Sequence, residues 1–241
     1  MPGPLSIVKS GGPVVPFGLA ALAGLCAVIL AGGLLPSVDP LRVQLWGGGA
    51  FAVAASVALF GMARSYPHGV PGLCNIVTLA RLGLACLLVG ALVSGASAQW
   101  LVFAIAGLAF ALDGVDGYLA RRSGLSSDFG ARFDMEVDSA LALTLAALAY
   151  SSEAAGVYVL LLGLPRYAFG LAQVFLPWLN RPLPPRFTRK VVCVIQIAAL
   201  LVMVFPLAGS PFTDTLAALA ALALVWSFWR DIAWLRAEAT A

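Results

Sequence analysis

The chain has 241 residues, of which 61% are hydrophobic and 10% are charged, and its formal net charge is +3. Soluble domains carry about 25% charged residues, so this composition excludes an ordinary soluble enzyme and indicates an integral membrane protein. The small basic excess, which is confined to loops, does not indicate a nucleic-acid partner. The sequence also lacks the alternation of polar and apolar residues that a membrane β-barrel needs. We therefore predict an all-α, polytopic membrane protein.

Eight apolar runs follow one another along the chain, and a membrane-spanning helix takes about 20 such residues. Turn-forming or charged residues separate neighbouring runs, as at Pro36–Pro40 and Asn180–Pro185. The predicted spans cover residues 14–35, 42–62, 74–95, 98–118, 132–151, 154–179, 189–208 and 213–235. We therefore expect eight transmembrane helices.

The basic residues indicate how these helices are oriented. With eight spans, both termini lie on the same side of the membrane. The basic residues on that side, or at its helix ends, are Lys9, Arg64, Arg121, Arg122, Arg132, Arg181, Arg186, Arg189, Lys190, Arg230 and Arg236. Arg42 is left for the opposite side. The positive-inside rule makes the shared side cytoplasmic, so we expect a multi-pass protein of an inner or plasma membrane with cytoplasmic termini.

Four aspartates interrupt the apolar pattern at the end of the fourth span and the start of the fifth: Asp113, Asp116, Asp134 and Asp138. A carboxylate at membrane depth costs about 2.5–3.5 kcal/mol on insertion, so such residues usually have a function. Separations of three and four residues place each pair on one helical face. Two such faces that meet form a cluster of oxygen ligands suited to a divalent cation. The predicted topology places this cluster on the cytoplasmic side.

Small and basic residues lie between the two pairs of aspartates. Gly117 and Ala120 leave room for a ligand beside the fourth helix, and Gly130 permits close packing where the fifth helix begins. Arg121 offers a planar, permanent cation for phosphate oxygens. Carboxylates, a gap lined by small residues and an arginine together predict a site for a metal-bridged diphosphate.

The spacing of these residues resembles a family signature. The pattern Asp-x-x-Asp-Gly-x-x-Ala-Arg, then eight residues, then Gly-x-x-x-Asp-x-x-x-Asp is met by Asp113, Asp116, Gly117, Ala120, Arg121, Gly130, Asp134 and Asp138. It resembles the motif of the CDP-alcohol phosphatidyltransferase family. The resemblance covers roughly residues 70–235 and implies a six-helix core. We therefore divide the chain into an N-terminal extension of two helices, residues 1–69, and a core of six helices, residues 70–241.

The resemblance implies a reaction in which a hydroxyl attacks the β-phosphorus of a CDP-linked lipid and CMP leaves. By the same resemblance, Asp113, Asp116 and Asp134 hold one or two Mg²⁺ or Mn²⁺ ions. Asp138 completes the metal cluster and is the candidate general base for the hydroxyl. The implied nucleotide-binding residues are Asn75, Thr78, Asp113, Gly117, Ala120, Arg121 and Gly130. The first two lie near the start of the third span and share one helical face, as that role requires.

Candidate residues for the acceptor lie farther along the chain. Arg166 falls within the sixth span, where a buried arginine needs a polar cavity opposite it, and its setting resembles the acceptor-binding helix of the family. Arg186, Arg189 and Lys190 form a basic loop. This loop either binds a phosphate, on the acceptor or on an anionic lipid, or follows the positive-inside rule alone.

The identity of the substrates stays open. CDP-diacylglycerol is the favoured donor and glycerol 3-phosphate is slightly favoured as the acceptor. However, the second arginine that glycerol-phosphate and inositol-phosphate users tend to carry is missing, since Gln173 and Val174 stand in that region. Serine, inositol or inositol phosphate are alternative acceptors, and CDP-choline or CDP-ethanolamine are alternative donors.

Two other classes of function compete with the enzyme. A cation transporter also carries acids within the membrane, but near the midplane and often in repeated halves. An inactive membrane scaffold would keep the fold without the reaction. The intact signature favours the enzyme over both. Membrane lipids are expected around the chain, and a homodimer is compatible with its many small residues.

Overall fold

Helices account for the regular structure of the described residues. The structure is a computed structural model that describes residues 12–240 apart from residues 38, 96, 97, 182 and 185, with the backbone alone at residues 120, 121, 239 and 240. The helices are α1 (Val14–Leu34), α2 (Pro40–Ser65), α3 (Leu73–Ser94), α4 (Gln99–Ser123), α5 (Asp128–Ser151), α6 (Leu160–Gly163), α7 (Pro165–Phe175), α8 (Phe187–Met203) and α9 (Phe212–Thr240). Short 3-10 turns lie at Val157–Val159 and Pro177–Asn180. The all-α prediction is confirmed.

Five of these helices are long and apolar enough to cross a membrane: α1, α2, α3, α4 as far as Leu119 and α9 as far as Glu238. A sixth candidate is the pair α6 and α7, with the 3-10 turn before them. Helix α5 carries several charged residues in its first half and α8 has 17 residues, so neither meets the same criterion. The multi-pass membrane class is confirmed, whereas eight crossings stay a prediction.

The sixth predicted span is broken rather than continuous. Helices α6 and α7 meet at Leu164 with a bend of 62°. Pro165 lacks an N–H and its ring clashes with the preceding turn, so it begins a new helix instead of extending the old one. The predicted span over residues 154–179 is therefore not one continuous helix, and Arg166 lies in the first turn of α7.

Helix α3 occupies the centre of the bundle, where it packs against α1, α2, α4 and α5. One side of it, with Ala85, Leu88 and Ala91, joins a core shared with α4, α5, α8 and α9. Another side, with Leu79 and Leu82, joins a second core shared with α1, α2 and the first half of α5. A polar residue on α3 is therefore enclosed by other helices rather than by lipid.

The N-terminal extension contacts the core close to the aspartate motif. Tyr66, just after α2, packs edge to face on Phe129 of α5, with 5.8 Å between the ring centroids. His68 Nε2 lies 3.2 Å from the backbone oxygen of Ser126 in the loop between α4 and α5. The segment between α2 and α3 thus supports that loop. The division of the chain after residue 69 stays a prediction.

Close packing of α2 on α3 predicts the effect of a small substitution. A Cβ atom at Gly90 of α3 would lie 2.6 Å from the backbone oxygen of Val43, which cannot turn aside as a side chain would. We expect Gly90→Ala to lower the free energy of unfolding by about 1–3 kcal/mol. Thermal unfolding in detergent measures the effect. Gly49→Ala on α2 is the control, because a Cβ there meets no atom within 4 Å. Equal stability of both variants would contradict the prediction.

Candidate active site

The structure brings the two predicted acidic faces together. Helix α4 carries Asp113 and Asp116 towards its end, and α5 carries Asp134 and Asp138 in its first half. A loop of four residues, 124–127, joins the two helices, and both helices pack against α3. One oxygen from each of Asp113, Asp116 and Asp134 lies within 4.8 Å of the other two. This arrangement supplies a compact set of oxygen ligands.

Arg81 of α3 lies in the middle of the four carboxylates. Its Nη1 donates to Asp116 Oδ2 at 2.8 Å and to Asp134 Oδ1 at 2.5 Å. Its Nη2 donates to Asp138 Oδ1 and lies 3.1 Å from Asp113 Oδ1. A guanidinium offers five N–H donors in a fixed fork, which suits one cation that must reach several oxygens. Arg81 therefore ties all four aspartates to α3.

The fifth donor of Arg81 is also used. Its Nε donates to the backbone oxygen of Ala109 in α4 at 3.2 Å, and the whole side chain is 0% exposed. Arg81 lies outside the signature pattern, and the sequence alone assigns it no role. The sequence does contain a signal for its position. Asn75, Thr78 and Arg81 follow one another at three-residue spacing and so lie along one side of α3.

Asn75 and Thr78 precede Arg81 on that side of α3 and have different surroundings. The hydroxyl of Thr78 lies 3.2 Å from Asp116 Oδ2 and 2.9 Å from the backbone oxygen of Cys74. Asn75 is 1% exposed, and its Nδ2 has no hydrogen-bond partner among the described residues. A Cβ atom at Gly130 would lie 3.0 Å from Asn75 Oδ1, so a larger residue there would displace the Asn75 side chain. A buried donor without a partner is rare and indicates a place for a ligand.

A cavity of about 240 Å³ opens beside the aspartates. Its lining residues are Cys74, Asn75, Asp116, Gly117, Leu125, Ser126, Ser127, Gly130, Ala131, Asp134 and Lys190. The cavity therefore joins the start of α3, two of the carboxylates and the loop between α4 and α5. Lys190, from the first turn of α8, adds an ammonium group that makes no ion pair within the described part of the chain.

The other predicted basic residues have partners away from this cavity. Arg189 binds Asp231 of α9 through Nε at 2.9 Å and Nη2 at 3.3 Å, and Arg186 lies 3.7 Å from the same carboxylate. Arg166 is about one-third exposed and pairs with Glu136 of α5 at 2.6 Å. The arginines of the basic loop therefore join α8 to α9, while Lys190 lines the cavity.

Two predicted residues lie outside what the structure describes in full. Ala120 and Arg121 belong to α4, but their side chains are not among the described atoms. Their assignment to nucleotide binding stays a prediction. Gly117 is described, and it lines the cavity one residue after Asp116.

The comparison with protein families agrees with this geometry. The CDP-alcohol phosphatidyltransferase model matches residues 72–229, which include Arg81 and all four aspartates. The chain belongs to the CDP-alcohol phosphatidyltransferase family. The comparisons with curated proteins and with solved structures gave no significant match.

Membership of this family fixes the general class of the protein. CDP-alcohol phosphatidyltransferases move a phosphatidyl group from a CDP-alcohol to an acceptor, so the chain is a membrane transferase of phospholipid biosynthesis. The family typically uses a divalent metal, and the aspartate cluster could hold one. The residues fit that use, because several carboxylate oxygens within reach of one another are the ligands that Mg²⁺ and Mn²⁺ prefer.

Because the amide nitrogen of Asn75 has no partner among the described residues, a substitution there should affect nucleotide binding more than protein stability. We expect Asn75→Ala to weaken CMP or CDP binding about tenfold, the effect of one lost hydrogen bond. The melting temperature should change little, since Nδ2 has no partner among the described residues. Calorimetric titration with CDP and thermal unfolding measure the two effects. Asn180→Ala is the control, since its amide donates to Gln173 away from the cavity. Unchanged CDP affinity in Asn75→Ala would contradict the assignment.

Proposed function

We propose that this protein transfers the phosphatidyl group of CDP-diacylglycerol to the hydroxyl of a small polar acceptor and releases CMP. The observation that carries the proposal is the convergence of four carboxylates beside a cavity lined by Lys190 and by Asn75, whose amide nitrogen has no partner among the described residues. Carboxylates supply metal ligands, Asn75 supplies a donor for the nucleotide, and Lys190 supplies a cation for a phosphate on the acceptor. Family membership supplies the CDP-alcohol donor class.

The metal ligands that we assign are Asp113, Asp116 and Asp134, with Asp138 completing the cluster. The first three supply oxygens within 4.8 Å of one another, which supports the assignment. One or two Mg²⁺ or Mn²⁺ ions held there would neutralise the diphosphate and stabilise the departing CMP. Arg81 contacts one oxygen of each carboxylate, so each aspartate keeps a second oxygen for this purpose.

Asp138 is the residue that we assign as general base. The acceptor oxygen forms a bond to the β-phosphorus, and the bond from that phosphorus to the bridging oxygen breaks as CMP takes its electron pair. Asp138 takes the hydroxyl proton. Its side chain is 15% exposed, and one of its oxygens is held by Arg81. The second oxygen is the one that we assign to the proton.

Nucleotide binding is assigned to the cavity beside the cluster. We assign Asn75 as a donor to the cytidine nucleotide; Gly117 and Gly130 line the same cavity, which supports this assignment. Thr78 bonds to Asp116, so its contribution is to orient that carboxylate. We keep Ala120 and Arg121 in this set on the strength of the motif.

The acceptor is a small polar alcohol, with glycerol 3-phosphate as the first candidate. Lys190 lines the cavity without an ion pair in the described structure, which supports binding of an acceptor phosphate. Arg186 and Arg189 bind Asp231, and Arg166 binds Glu136, so these arginines would have to exchange partners to reach a substrate. Serine, inositol and inositol phosphate are therefore part of the test.

We place the site on the cytoplasmic side of an inner or plasma membrane. The helix ends that surround it carry basic residues, as the positive-inside rule requires. They include Arg64 at the end of α2, Arg122 at the end of α4 and Lys190 at the start of α8. CDP-linked lipids would then reach the cluster from the inner leaflet.

An acceptor panel tests the reaction. Purified protein with CDP-diacylglycerol and Mn²⁺ or Mg²⁺ should release CMP with one of glycerol 3-phosphate, serine, inositol, inositol phosphate or choline. Mass spectrometry of the lipid identifies the product, and chelation by EDTA should stop the reaction. CDP-choline with diacylglycerol covers the alternative donor class. Absence of CMP release with every combination of donor and acceptor would overturn the proposed activity.

Aspartate variants test the assigned roles. We expect Asp134→Asn and Asp138→Asn to reduce CMP release at least a hundredfold, because each removes a charge that metal binding or proton transfer needs. CMP release by the purified variants measures the effect, with thermal unfolding to show that they fold. Asp128→Asn is the matched control, since it changes an exposed carboxylate of the same helix outside the cluster. Near wild-type turnover of Asp138→Asn would exclude Asp138 as the base.

A further inference from the structure

We propose that Arg81 is a resident counter-cation of the four-aspartate cluster, which holds the site together without metal and weakens its affinity for divalent ions. The inference rests on the proposed function only in assigning a divalent cation to the cluster. Neither the signature motif nor the reaction assigns a role to Arg81. Its effect on the reaction is indirect, so it is a positioning residue.

The charges within the cluster require such a cation. Four carboxylates lie within 3.1 Å of one guanidinium, and their side chains range from 5% exposed at Asp116 to 37% exposed at Asp134. Negative charges at such close range repel one another, and partial burial among the helices screens them less than bulk water would. The positive charge of Arg81 offsets one of the four negative charges, so the net charge of the cluster is −3. An arginine keeps this charge at every physiological pH.

The contacts of Arg81 indicate that it stays in place when metal binds. Its side chain is wholly buried, and its Nε is held by the backbone oxygen of Ala109 rather than by a carboxylate. It takes a single oxygen from each aspartate, so a metal ion can use the others. The guanidinium and the metal thus share the same carboxylates, and each lowers the attraction of the cluster for the other.

Metal titrations of variants test this coupling. Protein stripped with EDTA in detergent is titrated with Mn²⁺, followed by thermal unfolding and by the electron paramagnetic resonance signal of free Mn²⁺. We expect Arg81→Gln to lower the melting temperature without metal and to show a larger rise with Mn²⁺ than wild type. Its half-saturating Mn²⁺ concentration should fall about tenfold or more, since one repelling charge is gone. If Mn²⁺ raised the melting temperature of Arg81→Gln by the same amount as in wild type, with the same half-saturating concentration, the inference would be overturned.

Two further variants separate charge from simple loss of packing. Arg189→Gln removes another ion pair, to Asp231, and should lower the melting temperature without altering Mn²⁺ half-saturation. The double variant Arg81→Gln with Asp138→Asn has the same net cluster charge as wild type. It should melt above Arg81→Gln without metal, and it should fold even where the single variant does not. A double variant no more stable than the single one would overturn the inference.

The outcomes distinguish this inference from the proposed function. CMP release that fails with every acceptor, while Mn²⁺ still stabilises Arg81→Gln more than wild type, overturns the function and supports the role of Arg81. Normal CMP release with equal Mn²⁺ responses in the two proteins overturns the role of Arg81 alone. A wild-type protein that shows no response to Mn²⁺ overturns both.

Discussion

One ion network, between Arg81 and four aspartates, joins the three helices on which the site depends. Carboxylates and a guanidinium within a membrane bundle are costly to desolvate, and they are retained only where they satisfy one another. Here the guanidinium reaches all four carboxylates and a backbone oxygen of α4. Loss of one partner from such a network costs about 3–5 kcal/mol, because the remaining charge is left uncompensated. The network therefore fixes the relative positions of α3, α4 and α5.

The rest of the bundle holds this network away from lipid. Helix α3 packs against four other helices, so Arg81 is covered on the sides that would otherwise face acyl chains. Close approach of α2 depends on Gly90, and the segment after α2 supports the loop between the two acidic helices. Helices α1 and α2 thus pack against α3, which carries Arg81, and α2 also contacts α5, which carries two of the aspartates.

The basic residues near the cavity differ in their partners. Arg189 and Arg186 bind Asp231 and fasten α8 to α9, which positions the first turn of α8. Lys190 in that turn lines the cavity beside the aspartates. A guanidinium suits the structural role because it binds a carboxylate through two nitrogens, whereas a flexible ammonium can follow a phosphate.

The sequence by itself determined the membrane class, because composition and the length of apolar runs report directly on the surrounding solvent. It also determined the two acidic faces and the family, since spacings of three and four residues act within one helix. Only the tertiary structure decided that Arg81 lies among the aspartates, that Arg189 binds Asp231 and that Lys190 lines the cavity. Helical periodicity gives the face of a residue, whereas its partner depends on which helices pack together.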